Sequence, residues 1–417
     1  MRIAKINRVM IHKIILIIFS LIIISCTSVE QKKNNLLRTI DQSFQLALKQ
    51  YLTLNRELPD TLFPRTIDST GKLVTCESGW WTSGFFPGSL WYLYEYFQDP
   101  GVLEAAEYRT GTLESEKYNS GDHDIGFKMF CSYGNRLRLT YDSAAIPALI
   151  TSANTLLTRY VSSVGCIRSW GSIDDQHECL VIIDNMMNLE LLFWATKQTG
   201  DSVYYKAAIS HADKTLANHF RPDGSSYHVL AYDPKNGKVI TKRTHQGFSN
   251  ESSWARGQAW GLYGYTMAYR ETGLKRYLDQ ARKIADFVIR HPNLPADKIP
   301  YWDFNAPGIP KTYRDASAAA IMASALTELA DYADSSDQEN YLSTAEQMII
   351  RLSTKDYRSK LNTNGNFLLM HGVGHFSANS EVDVPLSYAD YYYLEAMIRL
   401  HNRYRRENLN FDKNELK

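Results

Sequence analysis

Two aspartates with apolar neighbours are the residues of this chain best suited to acid and base chemistry. Asp184 lies in the segment VIIDNMMN, residues 181–188, and Asp124 lies in GDHDIGF, residues 121–127. Poor solvation disfavours the charged form of a carboxyl group and raises its pKa, as a general acid near neutral pH requires. Asp at a helix start is commonly a cap, so capping is the alternative for both. As a pair, they could perform glycoside chemistry.

Aromatic side chains stand beside polar ones in several connecting segments. The aromatic faces would pack on the C–H groups of a sugar while amides and charged groups bind its hydroxyls. Packing in the core is the alternative for about half of these residues, as it is for aromatics generally. The tryptophans concerned are Trp80, Trp81, Trp91, Trp170, Trp254 and Trp260.

Arg256 and Trp260 are four residues apart, so a helix would place them on one face. The fork of a guanidinium group matches a carboxylate, and the pair is therefore predicted to clamp a uronate. An ion pair between Arg256 and Glu251, or another acid, is the alternative. His228 and Gln246 lie on or just beyond the arms of a predicted hairpin and could face one another, although a lone histidine is more often structural.

The chain shows no close metal-ligand constellation, phosphate-cradling glycine loop or GxSxG motif. Its formal net charge is +1. Removal of residues 1–25, which carry four basic and no acidic residues, changes the net charge to −3. Because the chain has no basic stripe and no nucleic-acid motif, we expect no nucleic-acid partner.

Helical periodicity dominates the sequence, with about twelve candidate helices. Very short turns alternate with long connections, and Pro100, Gly200 and Gly273 stand where helices begin or end. The predicted helices are 34–55, 84–98, 100–117, 124–139, 142–163, 182–198, 201–220, 254–272, 274–291, 314–333, 337–355 and 386–405.

A weak internal repeat indicates how these helices are arranged. Residues 191–216, 262–288 and 321–350 each read as an apolar helix, a tight turn and an amphipathic helix. A helical hairpin cannot bury its apolar face alone. We therefore predict an all-α (α/α)6 toroid with its long loops on one face, an open α-solenoid being the alternative. One small β-hairpin is predicted, with arms 227–232 and 239–244.

The N-terminus is typical of an exported lipoprotein. Residues 1–25 read as a signal peptide with a basic start and an apolar run. They end before Cys26 in a pattern resembling a bacterial lipobox, which predicts Cys26 as the lipidated first residue of the mature protein. An uncleaved anchor or a soluble secreted form is the alternative. Residues 26–35 are predicted to be a polar tether, and 36–417 a single catalytic domain. The expected location is the bacterial cell envelope, as a periplasm-facing or surface lipoprotein that meets the membrane only through its lipid. Four further cysteines could form disulfides after export.

Six segments in order resemble glycoside hydrolase family 88, the unsaturated glucuronyl hydrolases. They are GWWTSGFFPGSLW, HDIGF, IDNMMN, SSYHV, THQGFSNESSWARGQAW and ADYYYLEA, spread over residues 77–396. The resemblance implies an (α/α)6 barrel and no metal or organic cofactor. It implies a substrate made by a polysaccharide lyase, an oligosaccharide with a Δ4,5-unsaturated uronic acid at its non-reducing end. The implied reaction is hydration of the C4=C5 vinyl ether followed by ring opening.

The resemblance also assigns site residues. Asp184 corresponds to the family's general acid/base and Asp124 to its partner carboxylate. Trp81 resembles the stacking tryptophan, with Trp80 as the alternative register. Residues corresponding to the lining of the unsaturated-sugar subsite are His123, Trp170, His228, Gln246, Arg256 and Trp260.

Three other functions remain open on the sequence. An unsaturated rhamnogalacturonyl hydrolase would act by the same chemistry on pectin fragments. A sugar 2-epimerase would use histidines as proton shuttles on a similar toroid, whereas here the acids Asp124 and Asp184 sit in the stronger motifs. A non-catalytic glycan-binding lipoprotein is the third, and the intact pair of acids argues against it.

Overall fold

Helices account for most of the chain in this computed structural model, which describes the backbone of residues 8–415 and the side chains of residues 30–406. The α-helices are α1 (Arg8–Glu57), α2 (Phe85–Phe97), α3 (Pro100–Gly111), α4 (Ile125–Met129), α5 (Asn135–Thr140), α6 (Ala145–Leu157), α7 (Leu189–Thr199), α8 (Ser202–His219), α9 (Ala255–Thr272), α10 (Lys275–Arg290), α11 (Ala316–Leu329), α12 (Ser335–Leu352) and α13 (Ser387–Glu415).

Short strands lie in the connections between helices. They are β1 (Leu62–Ile67), β2 (Leu73–Glu77), β3 (Tyr160–Val161), β4 (Cys166–Ile167), β5 (Cys179–Ile182), β6 (Val229–Tyr232), β7 (Val239–Arg243), β8 (Gly372–His375) and β9 (Ser380–Val384). All pairings are antiparallel: β1 with β2, β3 with β4, β6 with both β5 and β7, and β8 with β9.

The helices form an (α/α)6 toroid. An inner ring runs through α2, α4 with α5, α7, α9, α11 and α13, and α13 packs back on α2. An outer helix follows each inner one except α13, and α1 closes the outer ring against α2 and α13. Because a helix buries its apolar stripe only against a neighbour, closure leaves no unpaired end. The toroid prediction is confirmed, and the solenoid alternative is wrong.

Local sequence explains the tight turns between inner and outer helices. The carboxylate of Asp99 accepts the backbone N–H groups of Gly101 and Val102, with Pro100 in the first turn of α3. Gly200 and Gly273 end α7 and α9 with φ of 75° and 67°, a left-handed conformation that favours glycine.

Two predicted helices are interrupted. The segment 182–198 begins as a 3₁₀ turn, Ile183–Asn188, and becomes α-helical only at Leu189. The segment 124–139 contains a π-helical turn, Phe130–Gly134, where the Ser132 hydroxyl donates to the Lys128 carbonyl at 2.6 Å. Such back-bonding bends helices. Periodicity alone does not reveal either interruption.

The predicted β-hairpin is present as β6 and β7, but β5 extends it to three strands, and other pairs occur elsewhere. The predicted tether, residues 26–35, falls within α1. The side chains of Cys26 and of the predicted signal peptide, and the backbone of residues 1–7, lie outside the described residues. No helix among the described residues is long and apolar enough to cross a membrane. Cys76, Cys131, Cys166 and Cys179 are free thiols.

Candidate active site

The predicted site residues gather at one mouth of the toroid, where the inner helices begin. Asp124 immediately precedes α4, and Asp184 lies in the 3₁₀ turn before α7. Arg256 and Trp260 occupy the first two turns of α9. Since the inner helices run in the same direction, residues distant in sequence meet on this rim. The structure thus brings the two aspartates into one site.

Asp184 is buried, with 9% of its surface exposed, and its carboxylate does not cap the following turn. Burial raises its pKa to about 7, against smaller opposing effects from Arg256, a backbone N–H group and Trp260. Its Oδ2 atom has no hydrogen-bond partner among the described residues. The group is therefore available to exchange a proton near neutral pH.

Asp124 is equally buried and does not cap α4. Burial raises its pKa well above the usual range, and the charges of Asp122 and Asp184 act in the same direction. Lys128 and Asn188 act against this rise. The two carboxyl groups are thus close enough to influence each other's ionisation.

His228 is neutral in this site and carries an unpaired N–H group. Its Nδ1 atom accepts the backbone N–H groups of His245 at 3.3 Å and Gln246 at 3.2 Å. A ring nitrogen that accepts carries no proton, so the proton of neutral His228 is on Nε2. Burial lowers its pKa well below the usual value. The ring stacks on Trp254, with centroids 4.3 Å apart, which fixes its direction.

Three tryptophans line the same mouth. Trp81 packs against Phe85, Phe127 and Tyr388. Trp170 lies beside the rings of His228 and His245, with centroids 6.2 and 5.1 Å away.

Trp260 contacts Phe127, and its indole N–H has no partner among the described residues. Trp80, in contrast, is 41% exposed, and the Arg65 guanidinium lies 4.3 Å from its ring centre. The structure places both candidates for the stacking tryptophan near the site.

Arg256 is buried, and its fork is engaged by protein groups. Nη1 donates to the Val373 carbonyl and lies 3.4 Å from Asp315 Oδ2, and Nη2 donates to the Gly374 carbonyl at 2.6 Å. The guanidinium therefore holds the β8–β9 hairpin. Its contact with Asp315 agrees with the ion-pair alternative, and its fork is not free to clamp a uronate. The proposed partner Glu251 instead lies 3.9 Å from Arg221.

Gln246 supports the same hairpin. Its side-chain amide donates to the Gly374 carbonyl at 2.8 Å, so it faces His228 through its backbone rather than its side chain. His375 Nε2 bonds to the His245 carbonyl at 2.8 Å. Arg65 of β1 forms an ion pair with Glu381 of β9, with 2.5 Å between Nε and Oε1.

Sequence reasoning missed several residues of this site. Tyr388 lies 5.2 Å under the Arg256 guanidinium, Asp315 pairs with Arg256, and Asn188 binds α4. Tyr388 lies in the first turn of α13, immediately before the segment ADYYYLEA, and Asn188 is the last residue of IDNMMN, so the motifs could have pointed to both. Nothing in the sequence pointed to Asp315.

An (α/α)6 toroid whose mouth holds two buried carboxyl groups among tryptophans defines the class of protein, an enzyme that processes glycans. Within the described residues, no group of three or more histidine, cysteine or acidic side chains is arranged to hold a metal ion.

Comparison with known proteins identifies the family. The Glycosyl Hydrolase Family 88 profile matches residues 64–402. An unsaturated glucuronyl hydrolase of Formosa agariphila is 47% identical over 342 residues, covering 82% of this chain and 85% of the relative. An unsaturated chondroitin disaccharide hydrolase of Streptococcus agalactiae is 33% identical over 371 residues, covering 87% and 91%. A crystal structure of an unsaturated glucuronyl hydrolase specific for heparin superposes with a TM-score of 0.86 at 43% identity, covering 88% and 98%. The chain belongs to glycosyl hydrolase family 88.

Proposed function

We propose that this enzyme releases the Δ4,5-unsaturated glucuronic acid from the non-reducing end of glycosaminoglycan-type oligosaccharides. The observation that carries the proposal is the buried carboxyl group of Asp184, whose pKa of about 7 suits a general acid. Relatives named for chondroitin and heparin fragments support the glycosaminoglycan class. A polysaccharide lyase would supply the substrate, because lyases create the C4=C5 bond.

The proposed reaction begins at the vinyl ether of the unsaturated sugar. Asp184 donates its proton to C4, and positive charge develops at C5 and the ring oxygen. Water, guided by Asp124, adds at C5 and loses its proton to the Asp184 carboxylate, which restores the acid. The resulting hemiketal opens and releases the next sugar. Both roles need carboxyl groups that are poorly solvated, as these are.

A disaccharide panel tests the proposal. The conjugated C4=C5 bond absorbs ultraviolet light, so its consumption is followed as falling absorbance. We expect turnover of unsaturated chondroitin, hyaluronan or heparin disaccharides and slower turnover of unsaturated rhamnogalacturonan fragments. Faster turnover of the rhamnogalacturonan fragments would show that pectin fragments, and not glycosaminoglycan fragments, are the substrate. Unchanged absorbance with every substrate would reject the enzymatic proposal in favour of a glycan binder.

We also propose that the protein is a lipoprotein of the cell envelope, anchored through Cys26. The basic start, the apolar run and the lipobox-like end of residues 1–25 support this proposal. Metabolic labelling with a fatty-acid probe should label the wild type and not Cys26→Ala. Cys76→Ala is the matched control, since it removes another cysteine and should keep the label. Equal labelling of Cys26→Ala and wild type would reject the anchor.

A further inference from the structure

Asn188 lies between the two segments that carry the aspartates. It ends the 3₁₀ turn that contains Asp184, and its side chain is fully buried. Its Oδ1 atom accepts the Phe127 backbone N–H of α4 at 3.0 Å. Its Nδ2 atom lies 3.4 Å from His123 Nδ1. One amide therefore links the turn of Asp184 to the segment of His123 and Asp124.

The direction of these hydrogen bonds follows from their chemistry. A backbone N–H can only donate, so the Asn188 atom that faces Phe127 is the oxygen. The remaining NH₂ group can only donate, so His123 accepts at Nδ1. The proton of neutral His123 then lies on Nε2, which is 3.3 Å from Asp124 Oδ1. Nε2 makes no hydrogen bond with a described residue, so its N–H group lies unpaired beside the Asp124 carboxyl group.

Close packing holds this arrangement in place. A Cβ atom added at Gly126 would lie 2.5 Å from Asn188 Oδ1 and 2.7 Å from its Cα. Real side chains do not approach so closely, and only glycine lets α4 approach the 3₁₀ turn to this distance. The fit between Gly126 and Asn188 therefore fixes both the position and the orientation of the amide.

We propose that Asn188 is a positioning residue that holds His123 in the Nε2-protonated tautomer, with this unpaired N–H group beside the Asp124 carboxyl group, and so orients the carboxyl group that lies near Asp184. This inference depends on the proposed function only where it predicts that changing Asn188 alters turnover. The tautomer of His123 is a property of the folded protein and is measurable without substrate.

The decisive variant is Asn188→Asp, which preserves the shape of the side chain and its acceptor for Phe127. The second carboxylate oxygen cannot donate, so His123 must place a proton on Nδ1. We expect kcat to fall by about 10- to 100-fold, as when outer partners of functional groups are removed, while KM changes by less than about threefold. A variant with wild-type kcat would overturn the proposal.

Asn135→Asp is the matched control. It makes the same change at a buried amide that lines the cavity of about 940 Å³ at the opposite end of the inner ring. Its kcat should equal that of the wild type. An equal loss of kcat in Asn135→Asp and Asn188→Asp would overturn a specific role for Asn188.

Nuclear magnetic resonance of ¹⁵N-histidine-labelled protein tests the tautomer directly, with His123→Gln used to assign the signal. We expect protonated Nε2 in the wild type and protonated Nδ1 in Asn188→Asp. Asp122, Lys128, Arg159 and Asn185 also act on His123 and are the same in both proteins. A wild-type His123 protonated on Nδ1 would overturn the proposal, even if the variant failed to fold. Wild-type inactivity on the disaccharide panel would reject the proposed function and leave this test intact.

Discussion

His228 Nε2 and Asp184 Oδ2 face each other at 3.7 Å, and neither atom has a hydrogen-bond partner among the described residues. The separation is too long for a direct hydrogen bond. Because the backbone fixes the proton of His228 on Nε2, a donor faces the carboxyl group assigned as the acid. Buried polar atoms normally have partners, and because these two face each other at the mouth of the toroid, we expect a substrate group or a water molecule to join them.

Replacement of His228 by asparagine should weaken catalysis without releasing the loop at residues 245–246. The asparagine carbonyl can still accept the two backbone N–H groups, while the Nε2–H donor is removed. The variant loses the hydrogen bond that this donor is expected to make to a charged group in the substrate complex, about 1.5–3 kcal/mol, which should lower kcat/KM by about 10- to 100-fold. The measurement is steady-state kinetics on the preferred disaccharide. Unchanged kcat/KM would show that this donor serves neither Asp184 nor the substrate.

Asp184→Asn should abolish turnover and leave the fold intact. The amide has the shape of the carboxyl group but cannot supply a proton to C4. Since general acid/base groups contribute about 10²–10⁴-fold, the variant should retain less than about a hundredth of the wild-type rate. Circular dichroism checks the fold. A pure, folded variant with more than about a tenth of the wild-type rate would refute the assigned role.

The pH dependence follows from the pKa of Asp184. The acid must be protonated to act, and its pKa is raised to about 7. The value of kcat/KM should therefore hold below about pH 7 and fall about tenfold for each further unit above it. Measurement of kcat/KM between about pH 5 and about pH 9 tests this alkaline decrease. A profile that stays flat through the alkaline range would contradict protonated Asp184 as the active form.

Arg256→Lys should weaken substrate binding through the β8–β9 hairpin. Lysine keeps the charge, but it lacks the fork that holds the Val373 and Gly374 carbonyls together with Asp315. We expect kcat/KM to fall by about 10- to 100-fold, the effect of losing a bond of about 1.5–3 kcal/mol.

A substrate esterified at the uronate separates this support from a direct clamp. If Arg256 acts by supporting the hairpin, Arg256→Lys should prefer the free acid over the ester as strongly as the wild type does. Loss of most of that preference in the variant would restore the carboxylate clamp predicted from the sequence.

The sequence by itself determined the class of fold and the main site segments. Helix periodicity, the capping residue Asp99 and the glycines Gly200 and Gly273 act within one turn of the chain. Local signals of this kind are readable because the interacting groups are neighbours in sequence. The six motifs likewise placed Asp124 and Asp184 in the stretches that the toroid brings together.

Only the tertiary structure decided how those residues are held. The hydrogen bonds of Asn188 to Phe127 and His123, and the engagement of Arg256 by the β8–β9 hairpin, join segments far apart in sequence. Hydrogen bonds of this kind depend on which helix starts meet at the mouth of the ring, and no local propensity encodes that meeting. The raised pKa of Asp184 has the same origin, because the apolar surroundings that desolvate it come from the closed toroid as a whole.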